Sequence, residues 1–441
     1  MARRKSICLA PADMIRRVTM AQLTKDVSES PLLGYSRWAL AVNVGAMFSY
    51  VWRFKVGPVP TNVLEILVLA TIALYIAGRL QTGPWRPPRT GLEIPTALLL
   101  IAGLVAIAVS PNHVGALGFY RAYFIEPVIL FYVAIDLLRT PQHFRIVLLG
   151  LAAGSSLFAI LNLGAWAIAL LSHQPIATAN APEALYTSPN SVAIFLEAPF
   201  AIAAGYVLYS DDRRERWIAA ACLVFLLAAL LLTLSRAAWL TLAALALVAV
   251  ITMPNLRVKL ALLGGALIGG FAVAQIPFVH QRLARQLDFS FKDNTFEGRV
   301  QIWSDTLRML RDRPIFGTGL RGYERVMTPY MTGNRLPELY PHNLFLAMWA
   351  ELGLLGLLAF VILLAMLLWR GWRGFYRANG FARPLLWGTS AAFVAVAVHG
   401  MFDTPYYNND ISLEFWIVAA LEVAALRMMT ADATRNQDFA R

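Results

Sequence analysis

The chain is 441 residues long, 58 % hydrophobic, only 15 % charged and of mean hydropathy +0.58. That balance excludes an ordinary soluble domain, and the lack of alternating ten-residue strands excludes a β-barrel, so the expected fold class is an all-α polytopic membrane protein. A net charge of +12 would point to nucleic acid in a soluble protein; here it follows the sidedness of a membrane protein, and no nucleic-acid partner is expected.

Residues 1–37 read as a cytoplasmic tail. Arg3, Arg4 and Lys5 open it, but no apolar core with a small-residue cleavage site follows, so a cleavable signal peptide is not expected. Met14, Val18 and Leu23, around Arg16 and Arg17, suit a short interfacial helix. Twelve apolar runs of roughly membrane-spanning length then follow, at 38–54, 60–80, 93–110, 123–138, 146–171, 191–209, 217–234, 237–253, 260–278, 344–369, 385–402 and 411–427. Nine therefore occupy 38–278 and three occupy 343–427, with a C-terminal tail over 428–441. Gly264, Gly265, Gly269 and Gly270 in the ninth suggest close backbone packing within lipid. Cys8 and Cys222 fall in the tail and inside a helix, and no disulfide is expected.

With the N-terminus inside, 24 Lys and Arg lie in cytoplasmic segments and 14 on the outer side, ten of these in the single long loop 279–342. The positive-inside rule therefore puts both termini in the cytoplasm and the long loop on the outer side of the membrane. That loop has order of its own. Val300, Trp303, Leu307 and Leu310 recur at helical spacing within 299–313, and Pro314 ends the pattern. A glycine-punctuated turn follows, Phe316-Gly317-Thr318-Gly319-Leu320-Arg321-Gly322, and then a short helix over 323–330. The loop is expected to be a cap on the bundle.

His342 is the leading candidate for chemistry. It lies between Pro341 and Asn343 at the start of a helix, where unsatisfied N–H groups favour anions, and a neutral imidazole accepts protons near pH 7. Its bland alternative is a capping or interfacial histidine. Arg236, in Leu234-Ser235-Arg236, sits at an outer hinge where no sidedness rule asks for a cation. Arg299 opens the loop helix, and Arg121 lies among aromatics in Tyr120-Arg121-Ala122-Tyr123-Phe124. A guanidinium fork matches phosphate oxygens; the bland alternative is a headgroup anchor. Arg321, Asn190, Asn343, His399 and Asp403 are secondary candidates for binding substrate. Asn190 also suits a helix cap, and His399 and Asp403 share a face if their helix continues that far. Glu65, Glu126, Asp136, Glu197, Glu351, Glu414 and Glu422 lie within spans, where interhelical pairing is the common explanation. No metal-ligand spacing and no phosphate-binding glycine loop occurs, so neither a metal, another cofactor nor ATP is expected.

At these residues the chain resembles the O-antigen ligase family, whose relatives include O-antigen polymerases and protein O-oligosaccharyltransferases. The matching pieces run from 187 to 403: Thr187-Ser188-Pro189-Asn190-Ser191-Val192-Ala193, Leu234-Ser235-Arg236, Arg299 with Trp303, Pro314-Ile315-Phe316-Gly317-Thr318-Gly319, Pro341-His342-Asn343 with Glu351-Leu352-Gly353, and His399-Gly400-Met401-Phe402-Asp403. The resemblance implies transfer of an O-antigen glycan from a polyprenyl (undecaprenyl) diphosphate carrier to a sugar hydroxyl of lipid A–core oligosaccharide at the periplasmic face, in lipopolysaccharide biosynthesis. For that reaction the expected chemistry is direct displacement by the hydroxyl, which inverts the anomeric carbon, with Arg236 and Arg299 clamping the diphosphate and His342 taking the proton. An O-antigen polymerase is the nearest alternative: Arg308 with Gly319 and Arg311 with Gly322 fit one of its spacings, in one loop only. A lipid-linked glycan transporter, or a module that only docks lipopolysaccharide, is the reading from another class.

Overall fold

The computed structural model describes residues 30–57, 59–83, 86–172, 181–275, 280, 295–332 and 338–439. The expected interfacial helix, Cys8, His173 and most of 279–294 lie outside them.

Each of the twelve apolar runs is met by helix. In chain order these are α1 Pro31–Gly45, α2 Val63–Thr82, α3 Glu93–Val109, α4 His113–Tyr120, α5 Glu126–Leu137, α6 Pro141–Leu171, α7 Pro189–Tyr209, α8 Arg213–Leu232, α9 Arg236–Thr252, α10 Leu256–Ala274, α11 Thr295–Asp312, α12 Tyr323–Met327, α13 Leu344–Phe375, α14 Ala382–His399 and α15 Asn409–Phe439. Six stretches are long and apolar enough to cross a membrane: α2, His113–Leu137, α6, α7, α8 and α13. Helices α3 and α9 are apolar but shorter. The class is thus nearly all-α, with six candidate spans shown.

Three local readings change. The first run is not one helix: α1 ends at Gly45, a 3₁₀ turn covers Met47–Val51, and an antiparallel hairpin pairs Arg53–Val56 (β1) with Val59–Asn62 (β2). The fourth begins ten residues early, because α4 runs into α5 through a π-turn at Arg121–Ile125. One extra residue per turn there re-aims the Arg121 side chain. Third, added Cβ atoms on Gly264, Gly265, Gly269 and Gly270 would meet nothing within 4 Å among the described residues, so α10 makes no close glycine contact with them there. The close approach lies instead between α1 and α6, where a Cβ on Gly150 or Gly154 would collide with the backbone of Ala41 or Gly45.

Helices α7, α14 and α15 form the interior. Helix α7 packs on α8 and α14, and α15 on α5 and α14. Their buried faces carry Phe195, Trp387, Phe393 and Trp416, aromatic bulk that supplies dispersion contacts lipid cannot match at a rough helix surface.

The cap is fastened to a break in α13. Gly353 has φ +71°, which interrupts the helix and strands backbone groups on either side. The 314–320 segment answers them. Ile315 O accepts from Leu354 N at 2.9 Å, and Ala350 O accepts from Thr318 N at 2.6 Å and Thr318 Oγ1 at 3.0 Å. Trp349 Nε1 donates to Pro314 O at 2.7 Å, and Ser110 Oγ to Leu320 O at 2.7 Å. Unsatisfied backbone is costly away from water, so loop and broken helix require each other. Gly317 at φ +63° lies so close to the Ala350 carbonyl that a side chain has no room. Helix α11 rests on this base through Met309 and Leu310, buried with Tyr323, Met327 and Ala350.

Candidate functional site

Asp403 is the hub. Helix α14 ends at His399, and the chain turns through Gly400 so that Asp403 N donates to His399 O at 3.0 Å. The Asp403 carboxylate is 7 % exposed and gathers groups from three other segments. Oδ2 accepts from Asn190 Nδ2 at 2.7 Å, on the first turn of α7. The same oxygen lies 3.7 Å from the Arg299 guanidinium, near the start of α11. Oδ1 faces His342 Nδ1 at 3.3 Å and accepts from Thr404 N at 2.9 Å.

His342 is held where it is by local strain. Its φ is +48°, in the left-handed region that only glycine adopts at no cost. Asn343 fixes the turn from behind: its Oδ1 accepts from Leu346 N at 3.0 Å, capping α13, and its Nδ2 donates to Met401 O at 3.0 Å. Leu344 N adds a bond to Gly400 O at 2.7 Å. Asn343, expected on the substrate, thus joins the His342 turn to the Asp403 turn. Trp303 of α11 completes the tie, donating to Pro341 O at 3.0 Å while its ring lies 6.5 Å from that of Phe402. Tyr340 stands edge-on to the imidazole at 6.0 Å.

Electrostatics follow from this packing. Burial pushes the His342 imidazole down, but hydrogen bonds to Asp403 and Glu338 outweigh it and raise it from 6.5 to about 9. The resting ring is therefore a cation near pH 7, not the neutral imidazole expected from sequence. Burial pushes Asp403 up, yet the His342 hydrogen bond and the surrounding cations hold its carboxyl well below the usual range. Burial draws Arg299 below its ordinary value, partly offset by Asp403. Glu338 reaches His342 Nε2 at 3.6 Å from a side chain that is 51 % exposed, so water screens it. One buried carboxylate thus answers two cations, and the exposed Glu338 meets the imidazole from the side of the cap.

Other candidates fall elsewhere. Arg236 opens α9, half-buried, behind Leu234 at φ +54° and Ser235, whose Oγ caps Ala238 N at 3.3 Å. Trp239 Nε1 closes that hinge on Leu231 O at 3.2 Å. A cation at the positive end of a helix dipole suits a bound anion, and α9 packs on α14, the helix that leads to Asp403. Arg321 is exposed at φ +56°, and its backbone N–H bonds the buried Glu351. Among the described residues, Leu234, Arg321 and His342 are the non-glycine residues with positive φ. Each belongs to a motif singled out from sequence, at a cost of roughly 1–2 kcal/mol apiece.

Arg121 is not joined to Asp403. Its guanidinium lies 2.5 Å from Glu65 and 3.5 Å from Glu126. His399 does not pair its ring with Asp403 either. Its Nδ1 lies 2.7 Å from Glu197 Oε1, both side chains being buried, and only its carbonyl serves the Asp403 turn. Asn190 does not cap α7; Ser188 holds that position, and the Asn190 amide is directed to Asp403. Glu338 and Tyr340 were not anticipated. Glu338 precedes His342 by four residues but outside any helix, so periodicity gives no signal. Among the described residues no group of three His, Cys, Asp or Glu is set to hold a metal ion.

Apolar helices of spanning length, with a charged and strained cluster beside a helical cap, mark a membrane protein. Residues 221–361 match the family model described as O-antigen ligase, so about a third of the chain is similar to that family. Arg236, Arg299, Arg321, His342 and Asn343 lie inside the match; Asn190, His399 and Asp403 lie outside it. No curated protein matches the chain.

Proposed function

We propose that the protein is an O-antigen ligase of the bacterial inner membrane, transferring a glycan from a polyprenyl diphosphate carrier to a sugar hydroxyl of lipid A–core oligosaccharide at the periplasmic face. The observation that carries this reading is the Asp403 hub, which sets His342 and Arg299 around one buried carboxylate.

The acceptor O–H attacks the donor's anomeric carbon. A new C–O bond forms as the bond from that carbon to the diphosphate breaks, and the configuration inverts. The hydroxyl proton passes to His342 Nε2, while Nδ1 stays against Asp403. Orientation by a carboxylate fixes the tautomer and raises basicity, and such base catalysis is worth about 10²–10⁴-fold. Because the resting ring is a cation, it first sheds a proton to water. Arg299, with Arg236, meets the charge that grows on the departing diphosphate, a stabilisation greater in the transition state than in the ground state. Departure of the diphosphate supplies the driving force, in keeping with a chain that lacks a nucleotide-binding loop.

The test uses the purified full chain in detergent with a polyprenyl diphosphate glycan and lipid A–core, without ATP or added metal. A higher-mass glycolipid supports the ligase. Lengthened polyprenyl-linked glycan shows a polymerase instead, and neither product leaves a binding or transport protein.

A further inference from the structure

Far from Asp403, a cavity opens between α6, α7 and α8. Along α7, Asn190 and Tyr206 are sixteen residues apart, about 24 Å of helix, so the two sites lie at opposite ends of the bundle. The cavity has a volume of about 390 Å³, within the roughly 300–1,000 Å³ of ligand sites. Its walls change in character along its length. At the mouth stand Arg145 near the start of α6 and Asp212, Arg214 and Glu215 at the start of α8. Inward the lining is apolar, from Leu148 and Ile218 to Pro199 and Leu226. From Gln142 to Ser155 along α6 the cleft extends for about 20 Å, a long acyl chain's reach.

Two further features point to an occupant. Tyr206 lines the cleft at 7 % exposure, yet its hydroxyl has no hydrogen-bond partner among the described residues. A buried hydroxyl left unmet is unfavourable, so a ligand acceptor there is favoured. The mouth carries both signs. Arg145 bridges to Glu215 at 2.8 Å and more loosely to Asp212 at 3.8 Å, and the Asp212 side chain is 46 % exposed. Exposed Arg214 adds a second cation beside that carboxylate. A ligand with one anionic and one cationic group at the end of an aliphatic chain complements this pattern better than one bearing a single charge.

We propose that this cleft is a binding site for a zwitterionic phospholipid, one acyl chain lying between α6, α7 and α8. Its phosphate meets Arg145 and Arg214, its ammonium meets Asp212 and Glu215, and a glycerol-ester carbonyl accepts from Tyr206 Oη. The site is independent of the transfer reaction and uses none of its residues.

The test is native mass spectrometry of the delipidated full chain with an equimolar mixture of phosphatidylethanolamine and phosphatidylglycerol. One phosphatidylethanolamine per chain is expected, preferred by about tenfold (1.4 kcal/mol), with the preference lost in Glu215→Gln. Ala203→Trp fills the cleft and should abolish retention. Tyr206→Phe, which preserves packing, should weaken it if the tryptophan variant fails to fold. Equal or greater retention of phosphatidylglycerol, no retained lipid, or retention unchanged in both Tyr206→Phe and a folded Ala203→Trp would overturn the proposal.

Discussion

Two regions contain an arginine among aromatics and acids, and they resolve oppositely. Around Arg121, Glu65 and Glu126 are almost wholly buried, so two carboxylates answer one guanidinium. Around Asp403 the balance is inverted: Arg299 and the imidazolium of His342 share one buried carboxylate. The residue types are alike, and sequence gives both arginines the same two readings. Partner count separates them. A membrane-protein arginine is poised for substrate when the chain under-compensates it, and serves architecture when the chain over-compensates it.

Substitutions can break this contrast or sharpen it. The largest effect belongs to His342→Ala, which should lower glycan transfer by about 10²–10⁴-fold with the protein still inserted and monodisperse; normal turnover would remove the imidazole from the chemistry. Next comes Asp403→Asn, which leaves the hub's shape but not its charge. Misplacing the ring should cost about 10²-fold, and the rate–pH profile should shift too. In the wild type the active form is the deprotonated ring, so the rate should rise with pH and level off above about 9. Without the carboxylate's charge that rise should move down toward 6.5, the ordinary value. A rate that instead falls as pH passes 9 would make the imidazolium an electrostatic group and not a base.

Arg299→Lys and Arg236→Lys keep charge and lose the fork. Each should reduce transfer by about 10- to 100-fold, the worth of a charge-assisted hydrogen bond. Wild-type rates in the Arg236 variant would make that residue a hinge anchor. The smallest effect on transfer belongs to Arg121→Gln, with turnover nearly intact. Its cost should fall on stability, since Glu65 and Glu126 then face each other unpaired; a thermal melt in detergent should show the loss. Transfer lost at unchanged melting would place Arg121 on the substrate and end the contrast.

Linkage gives the first region a second signature. The folded-state pKa of His342 is raised, so the His342–Asp403 contact stabilises fully below pH 6.5 and fades as pH climbs through about 9. That fade should vanish in Asp403→Asn.

Much of the site was legible. Pro341-His342-Asn343, Leu234-Ser235-Arg236 and Arg299 declare themselves as cations or a titratable ring where apolar sequence pauses. What could not be read was who holds whom. The spacing of His399 and Asp403 suggested a shared helical face, but α14 ends at His399, and the two side chains go to Glu197 and His342. Asn190 read as a cap because local rules see only its own helix; its amide crosses 213 residues of sequence to reach Asp403. In the fold, helix positions followed hydropathy closely, whereas the π-turn at Arg121 and the break at Gly353 depend on neighbours that hydropathy cannot register. The cap shows both sides of this. Periodicity placed α11 within a few residues, yet gave no hint that Thr318 and Ile315 serve the backbone of α13.

That seam has a consequence for how the outer face moves. Releasing residues 314–320 means parting Thr318 from Ala350, Leu354 from Ile315, Trp349 from Pro314 and Ser110 from Leu320 together. In deuterated buffer the amides of Thr318 and Leu354 should therefore exchange on the slow timescale of the helical interior, making the floor of the lid an anvil against which any flexing portion closes.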